Sequence, residues 1–270
     1  MKYKISKLAE IYNMTTKGIH YYEEKGILNP SINENNKYRN FHQDDASDLY
    51  QSRKYHKLGF SLENILDLMN TEDLNLILNY YENRKLEIEE QFYSLLFLGT
   101  YVERQIELIE KTKNNISSFT IKDCPEFYRL SVFDSTDIIR SNESINKSKI
   151  GAERLPFTSG SMLFNIKDYN PNSDTIKTNI GYIYYSSEIE PLKLNENKLK
   201  HISPQKCIYG IVYDDAKKLD ARSRLDGAIS YIKENNLNIK GEIFTREIIY
   251  IKDNNKTCRY DELWIPLCDY

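Results

Sequence analysis

One tryptophan, four methionines and four cysteines in 270 residues are few, and each scarcity narrows what the chain can be. The cysteines, Cys124, Cys207, Cys258 and Cys268, lie far apart in sequence and lack the short paired spacing of zinc sites or redox dithiols. Buried or free thiols are therefore expected, with no metal and no cofactor. No apolar run approaches the ~18 residues that a membrane span requires. The opening MKYKISKLAEIYN carries polar residues where a signal peptide needs an unbroken apolar stretch, so cytoplasmic residence is the expectation. No nucleophile–base motif stands out, and an enzyme is not expected.

Hydrophobic residues make up 40% and charged residues 29%, the balance of a globular protein long enough for more than one module. The net charge of −3 disfavours nucleic acid when taken alone, but the charge is uneven. Residues 1–60 hold ten Lys/Arg against seven Asp/Glu, so the acidic excess lies entirely in the remainder.

Ile5, Leu8, Ala9 and Tyr12 recur at helical spacing, with Ser6 able to cap the start. Thr15 offers an N-cap for a second helix through Ile19, Tyr22 and Glu23, which Gly26 ends. The pair reads as a helix-turn-helix. In NPSINENNKYRNF, Pro30 and Asn35-Asn36 punctuate two short extended pieces, the pattern of a β-wing. A further helix over Asp44–Leu58, stopped by Gly59, and a shorter one capped by Ser61 and running through Met69 complete a module over residues 1–70.

Residues 71–113 carry a stripe at alternating spacings of four and three: Leu74, Leu78, Tyr81, Ile88, Phe92, Leu95, Val102, Ile106 and Ile109, broken only at Lys85 and Gly99. A coiled-coil dimerisation helix is expected, with the residues from Leu78 to Ile109 as its seam. The spacing alone does not separate a partner chain from packing within one monomer.

After a linker at 114–119, residues 120–270 change to short aromatic and β-branched runs. Strands are expected over Glu126–Phe133, Ser161–Lys167 and Ile180–Ser186 with a helix over Thr136–Ile150. The order recurs as strands Lys206–Tyr213, Glu242–Ile251 and Tyr260–Leu267 with a helix over Leu219–Asn235. Two copies of β-α-β-β imply a duplicated α+β domain with helices on one sheet face and the other face open to a ligand. The fold class is thus multi-domain, α and α+β.

The stretches IHYYEEKGILNP at 19–30, NKYRNF at 36–41 and HKLGFSLENI at 56–65 closely resemble the MerR-family DNA-binding domain. Tyr21, Tyr22, Glu23, Tyr38 and Arg39 match its pattern. His20 stands where the family has arginine, Lys37 where the wing has glycine and Phe41 where the wing ends in tyrosine. Element order and the terminal YDELWIPL make residues 120–270 similar to a GyrI-type effector domain. The resemblance implies a homodimer on an inverted-repeat promoter operator, acting with RNA polymerase to activate transcription by distorting the promoter spacer when a small organic effector binds. It also sets this chain apart from the metal-sensing members, since no cysteine lies between Glu110 and Thr120.

The DNA-contacting set is then Lys17, His20, Tyr21, Lys37, Tyr38 and Arg39, cations and planar side chains on one helix and one hairpin. For the effector, alternation along the last strand puts Tyr260, Glu262, Trp264 and Pro266 on one face and Asp261, Leu263, Ile265 and Leu267 under the helices. Glu262 between two rings fits a lipophilic cation. Phe164, Tyr182, Tyr184, Tyr209, Tyr213, Phe244 and Tyr250 are candidate walls, with Glu247 as a second acid. Two alternatives stand beside this: a hydrolase using a Glu and a Tyr, and a repressor without any effector.

Overall fold

The computed structural model describes residues 2–34, 38–114, 116, 118–135, 141–215, 222–253 and 256–268. It divides into two compact units, Met1–Phe97 and Leu98–Tyr270, the division falling inside one long helix.

In the first unit, α1 (Ile5–Ile11) and α2 (Thr16–Glu24) bury Leu8, Ala9, Ile19 and Tyr22 against each other. Thr15 caps α2 by accepting a hydrogen bond from the Gly18 N–H, and Gly26, at φ +76°, takes the left-handed conformation that stops it. Ser6 does not cap α1. Lys4 occupies that position without a side-chain bond, because the helix already includes Ser6. The wing is the antiparallel pair β1 (Ser31–Ile32) and β2 (Arg39–Asn40); its tip, residues 35–37 with the candidate Lys37, lies outside the described residues.

Asp45 fastens the wing to the body, its carboxylate accepting from the N–H groups of Asn29 and His42. It sits in the first turn of α3 (Gln43–Lys57), and α4 (Leu62–Asn70) follows, capped by Ser61. The 41-residue helix α5 (Leu74–Asn114) begins in this unit. There the Arg84 guanidinium donates to the Leu58 carbonyl at the end of α3, and Tyr80 donates to Asp67.

The second unit is an eight-stranded antiparallel sheet of β3 (Phe119–Asp123), β4 (Phe127–Asp134), β5 (Ser159–Asn165), β6 (Thr178–Tyr185), β7 (Lys200–Ile202), β8 (Lys206–Asp215), β9 (Glu242–Asp253) and β10 (Lys256–Pro266), in the order β3-β8-β10-β9-β5-β6-β4-β7. Helix α6 (Asn142–Ala152) comes between β4 and β5, α7 (Ser186–Ile189) after β6 and α8 (Ser223–Glu234) between β8 and β9. The expected helix over Thr136–Ile150 thus starts late, residues 136–140 lying outside the described residues, as do 216–221 before α8. Two short strands, β3 and β7, were not anticipated.

The strand triplets β4-β6-β5 and β8-β10-β9 have the same internal order and join through β5 and β9. One sheet face carries Met162, Phe164, Ile208, Val212, Ile243, Leu263 and Ile265 beneath Leu225, Ala228 and Ile229 of α8. The ring of Tyr182 lies under Gly151 of α6 on the same side, so close that a Cβ there would meet it at 2.3 Å. The opposite face is not open as expected. The end of α5 lays Leu108 against Ile211 and Ile248, and α7 brings Glu188 to Arg104 of α5 at 2.5 Å.

Candidate DNA interface and effector site

On the helix-turn-helix, Lys17 and Tyr21 are exposed and His20 is half-exposed on one side of α2, because Ile19 and Tyr22 turn the opposite side into the core. Tyr38 on the wing is 72% exposed. Glu23 ties helix to wing: its carboxylate accepts from the Arg39 Nε at 2.6 Å and lies 3.0 Å from the His20 Nδ1. Arg39 therefore presents its terminal nitrogens from a fixed stem.

Partial burial pushes the Glu23 pKa up, but hydrogen bonds from Arg39 and His20 outweigh it and leave the group below its ordinary 4.5. A depressed carboxylate stabilises the fold fully above its unfolded value and loses that contribution as pH falls through the folded one. The thermal midpoint of the first unit should accordingly fall on acidification from about pH 5 to about pH 3, and a Glu23→Gln variant should show a shallower fall in calorimetry. An equal slope in both would remove Glu23 from the account.

In the second unit, the uncovered-by-α8 face gathers the rings of Phe127, Tyr185, Tyr209, Phe244 and Trp264. Trp264 lies 4.6 Å from Tyr209 and stacks on Phe244 at 6.5 Å, centroid to centroid. Strand register explains the set, since Tyr209, Trp264, Phe244 and Leu163 are successive cross-strand partners. Tyr213 stacks on Tyr260 at 5.7 Å further along the same face.

Glu262, expected to be free for a cation, is 3% exposed and faces the Arg246 guanidinium at 3.5 Å. Arg246 also stands over the Tyr185 ring at 4.6 Å, as Arg104 does at 4.1 Å. The Lys122 ammonium lies 3.1 Å from the centre of Tyr209 and 4.7 Å from that of Trp264. Burial, then the Glu262 charge, pushes the Tyr209 phenol far up and Tyr185 up to about 12. Burial likewise raises Glu188, against the pull of its Arg104 and Arg246 neighbours.

Arg246 Nε and Nη1, Glu262 Oε2, Tyr209 Oη and Trp264 Nε1 are buried without a hydrogen-bond partner among the described residues. Arg129 on the same face makes the contrast. Fully buried, it gives five hydrogen bonds to Ser131, Ser161 and Asn179, and burial lowers its pKa to about 10. A complete network costs little; an incomplete one marks where polar groups await a partner.

Five candidates fall on the helix-covered side. Phe164 is in the core under α8, Tyr182 lies under α6, and Tyr184 is fully buried beside the Thr158 hydroxyl. Glu247 pairs with Arg259 at 3.4 Å, and Tyr250 is the cross-strand partner of Arg259. Parity explains the first four: Glu247 is three residues from Phe244 and cannot share its face, while Tyr182 and Tyr184 alternate with Ile183 and Tyr185. Tyr250 is displaced by a bulge at Tyr260/Asp261. Tyr185, Arg246, Arg129 and Lys122 were missed. The same parity count would have found Tyr185 and Arg246.

Among the described residues no group of three or more His, Cys, Asp or Glu is arranged to hold a metal, and no helix is long and apolar enough to cross a membrane.

Residues 3–72 match the MerR HTH family regulatory protein model. The amino-terminal module is a MerR-family helix-turn-helix domain. The chain is 27% identical over 134 residues to the HTH-type transcriptional regulator CueR of Escherichia coli O157:H7, covering 47% of this chain and 93% of that one. It is 25% identical over 112 residues to the HTH-type transcriptional activator mta of Bacillus subtilis, covering 42% and 40%. A cryo-EM structure of the EcmrR–DNA complex in EcmrR-RPo aligns over 98% of this chain and 100% of that one, at 18% identity and a TM-score of 0.37. A MerR-family transcription regulator binds DNA, and the exposed side of α2 with the wing is the surface of the MerR module bearing the matching residues.

Proposed function

We propose that the protein is an effector-responsive regulator that binds an inverted-repeat promoter operator as a homodimer through the MerR module. It acts with RNA polymerase, senses a small organic molecule on the aromatic face of a GyrI-like second domain, and works in the cytoplasm. The observation that carries the DNA reading is Glu23, which sets the wing and the recognition helix in one fixed relation with Tyr38 and Arg39 outward. Preset donors on two elements can grip backbone phosphates on either side of a groove without ordering cost at the moment of binding.

The homodimer reading rests on α5. Tyr101, Arg104 and Leu108 turn toward the sheet of the second unit, whereas the stripe residues Phe92, Leu95, Val102 and Ile106 remain 46–68% exposed on the single chain. A row of large apolar groups at heptad spacing that the described residues leave about half exposed or more fits a second copy. Activation by spacer distortion requires effector binding to favour the distorting conformation by a differential comparable to the bending cost, about 1–6 kcal/mol.

Tyr38→Ala and Arg39→Ala should each weaken binding to an operator duplex at moderate salt by about tenfold, while the protein stays dimeric. Arg39→Ala should also flatten the dependence of log Kd on log salt. Fluorescence anisotropy across a salt series tests both, and unchanged affinity in the two variants would refute the wing as a contact surface.

A further inference from the structure

We infer that the effector is an organic anion with an apolar body, seated against Lys122, Arg246, Tyr209 and Trp264; this rests on the reading of the aromatic face as the effector site. The aromatic seats that would receive a cation are taken by the chain's own cations. Lys122 covers Tyr209 and Trp264, and Arg104 and Arg246 cover Tyr185. A cationic ligand must displace groups tethered in place, which compete at intramolecular effective concentration.

The charges on this face point the same way. Around the aromatic rings stand the cations Arg104, Arg246 and Lys122 and the carboxylates Glu188 and Glu262, while Arg129 and Asp134 share the Asn179 amide farther along the face. Arg104 pairs with Glu188 and Arg246 with Glu262, and Arg129 is held by neutral acceptors. Lys122 has no carboxylate within ion-pair distance among the described residues. Arg246 Nη1 and Glu262 Oε2 face each other at 3.5 Å, which leaves Arg246 Nε, Trp264 Nε1 and the Tyr209 hydroxyl as the donors without a hydrogen-bond partner around these rings among the described residues. An anion accepts from N–H donors; a cation has nothing to accept with.

The space beside them has matching chemistry. A pocket of about 280 Å³ is lined by Lys111, Ser118, Thr120, Lys122, Tyr209 and Ile211, two ammoniums and no carboxylate. The larger cavity of about 640 Å³ on the far side of Phe244 has Lys200, Lys206 and Lys240 around it and one carboxylate, Glu242. Burial lowers the Lys122 pKa, Glu262 opposes that and Lys111 adds to it, so an anion seated between Lys122 and Lys111 favours the charged form of both.

The test uses the full-length protein and three probes of one shape: 4-tert-butylbenzoate, 4-tert-butylbenzyl alcohol and 4-tert-butylbenzylammonium. Trp264 is the chain's one tryptophan, so its fluorescence reports occupancy at the site directly. Calorimetry gives the affinities. The benzoate should bind at least about tenfold more tightly than the ammonium. Lys122→Met should cost the benzoate about tenfold and strengthen the ammonium. An ammonium that binds the parent as tightly as the benzoate, or a benzoate indifferent to Lys122→Met, overturns the anion assignment alone. No binding of any probe to parent or variant, by either method, overturns the face as an effector site and the assignment with it.

Discussion

Leu95→Asp is expected to run as a monomer in sedimentation and to lose operator affinity by at least about a hundredfold, because half of a two-headed grip forfeits the effective concentration of the second head. Leu95 stands near the middle of the α5 stripe and is 68% exposed on the single chain. A carboxylate there meets water in the monomer and costs the monomer fold little. In a dimer seam the same carboxylate is stripped of water without a partner, at several kcal/mol. The two states therefore respond differently to one substitution. Circular dichroism of the variant should match the parent in helix content, which separates loss of association from loss of folding. A soluble, helical, dimeric Leu95→Asp that still binds the operator would place the seam elsewhere.

The second large effect is expected at Glu262. Glu262→Gln keeps the shape but removes the only carboxylate that pairs with the buried Arg246 among the described residues. Breaking one side of such a pair costs about 3–5 kcal/mol, because the remaining charge is left buried and uncompensated. Trp264 neighbours both groups on the strand pair and follows unfolding of the second unit by fluorescence. The midpoint in urea should fall sharply for Glu262→Gln and recover most of the way in Glu262→Gln/Arg246→Met, where both charges are gone. A single variant within about 1 kcal/mol of the parent would show that Arg246 is stabilised by water or by Tyr185 rather than by Glu262.

The first module was legible nearly to the residue, and the reason is local. Thr15 and Ser61 cap, Gly26 and Gly59 take φ of +76° and +88°, and a helix that starts and stops on such signals leaves little to tertiary context. The strand–helix–strand–strand order of the second unit was legible from alternation. The short strands β3 and β7 were not: five and three residues hold no period, and only pairing with β8 and β4 makes them strands.

The aromatic face was half legible. Alternation put Glu262 and Trp264 on the sheet face away from α8, where they lie, but no pattern in YDELWIPL says what stands opposite. Arg246 reaches Glu262 across a strand pair, Lys122 arrives from a strand 140 positions before Glu262, and Arg104 from a helix that reads as pure coiled coil. Charge pairing of this kind is a tertiary property. A lone glutamate between aromatic residues therefore reads as a cation seat until its partners are seen.

The two strands that the alternation missed also govern how the molecule behaves in a crowded solution. An antiparallel sheet must end somewhere, and its last backbone row offers N–H and C=O groups to any passing strand. Here the ends are β7, with three residues, and β3, with five, both far shorter than the strands of eight and ten residues they flank. Lys200 and His201 on one edge and Lys122 and Asp123 on the other add charge to the little backbone on offer. Over residues 206–210 of β8 and 127–129 of β4, these strands leave only a short, polar template for pairing between copies. Sheet-edge stacking into insoluble fibres is thereby discouraged even when the protein accumulates.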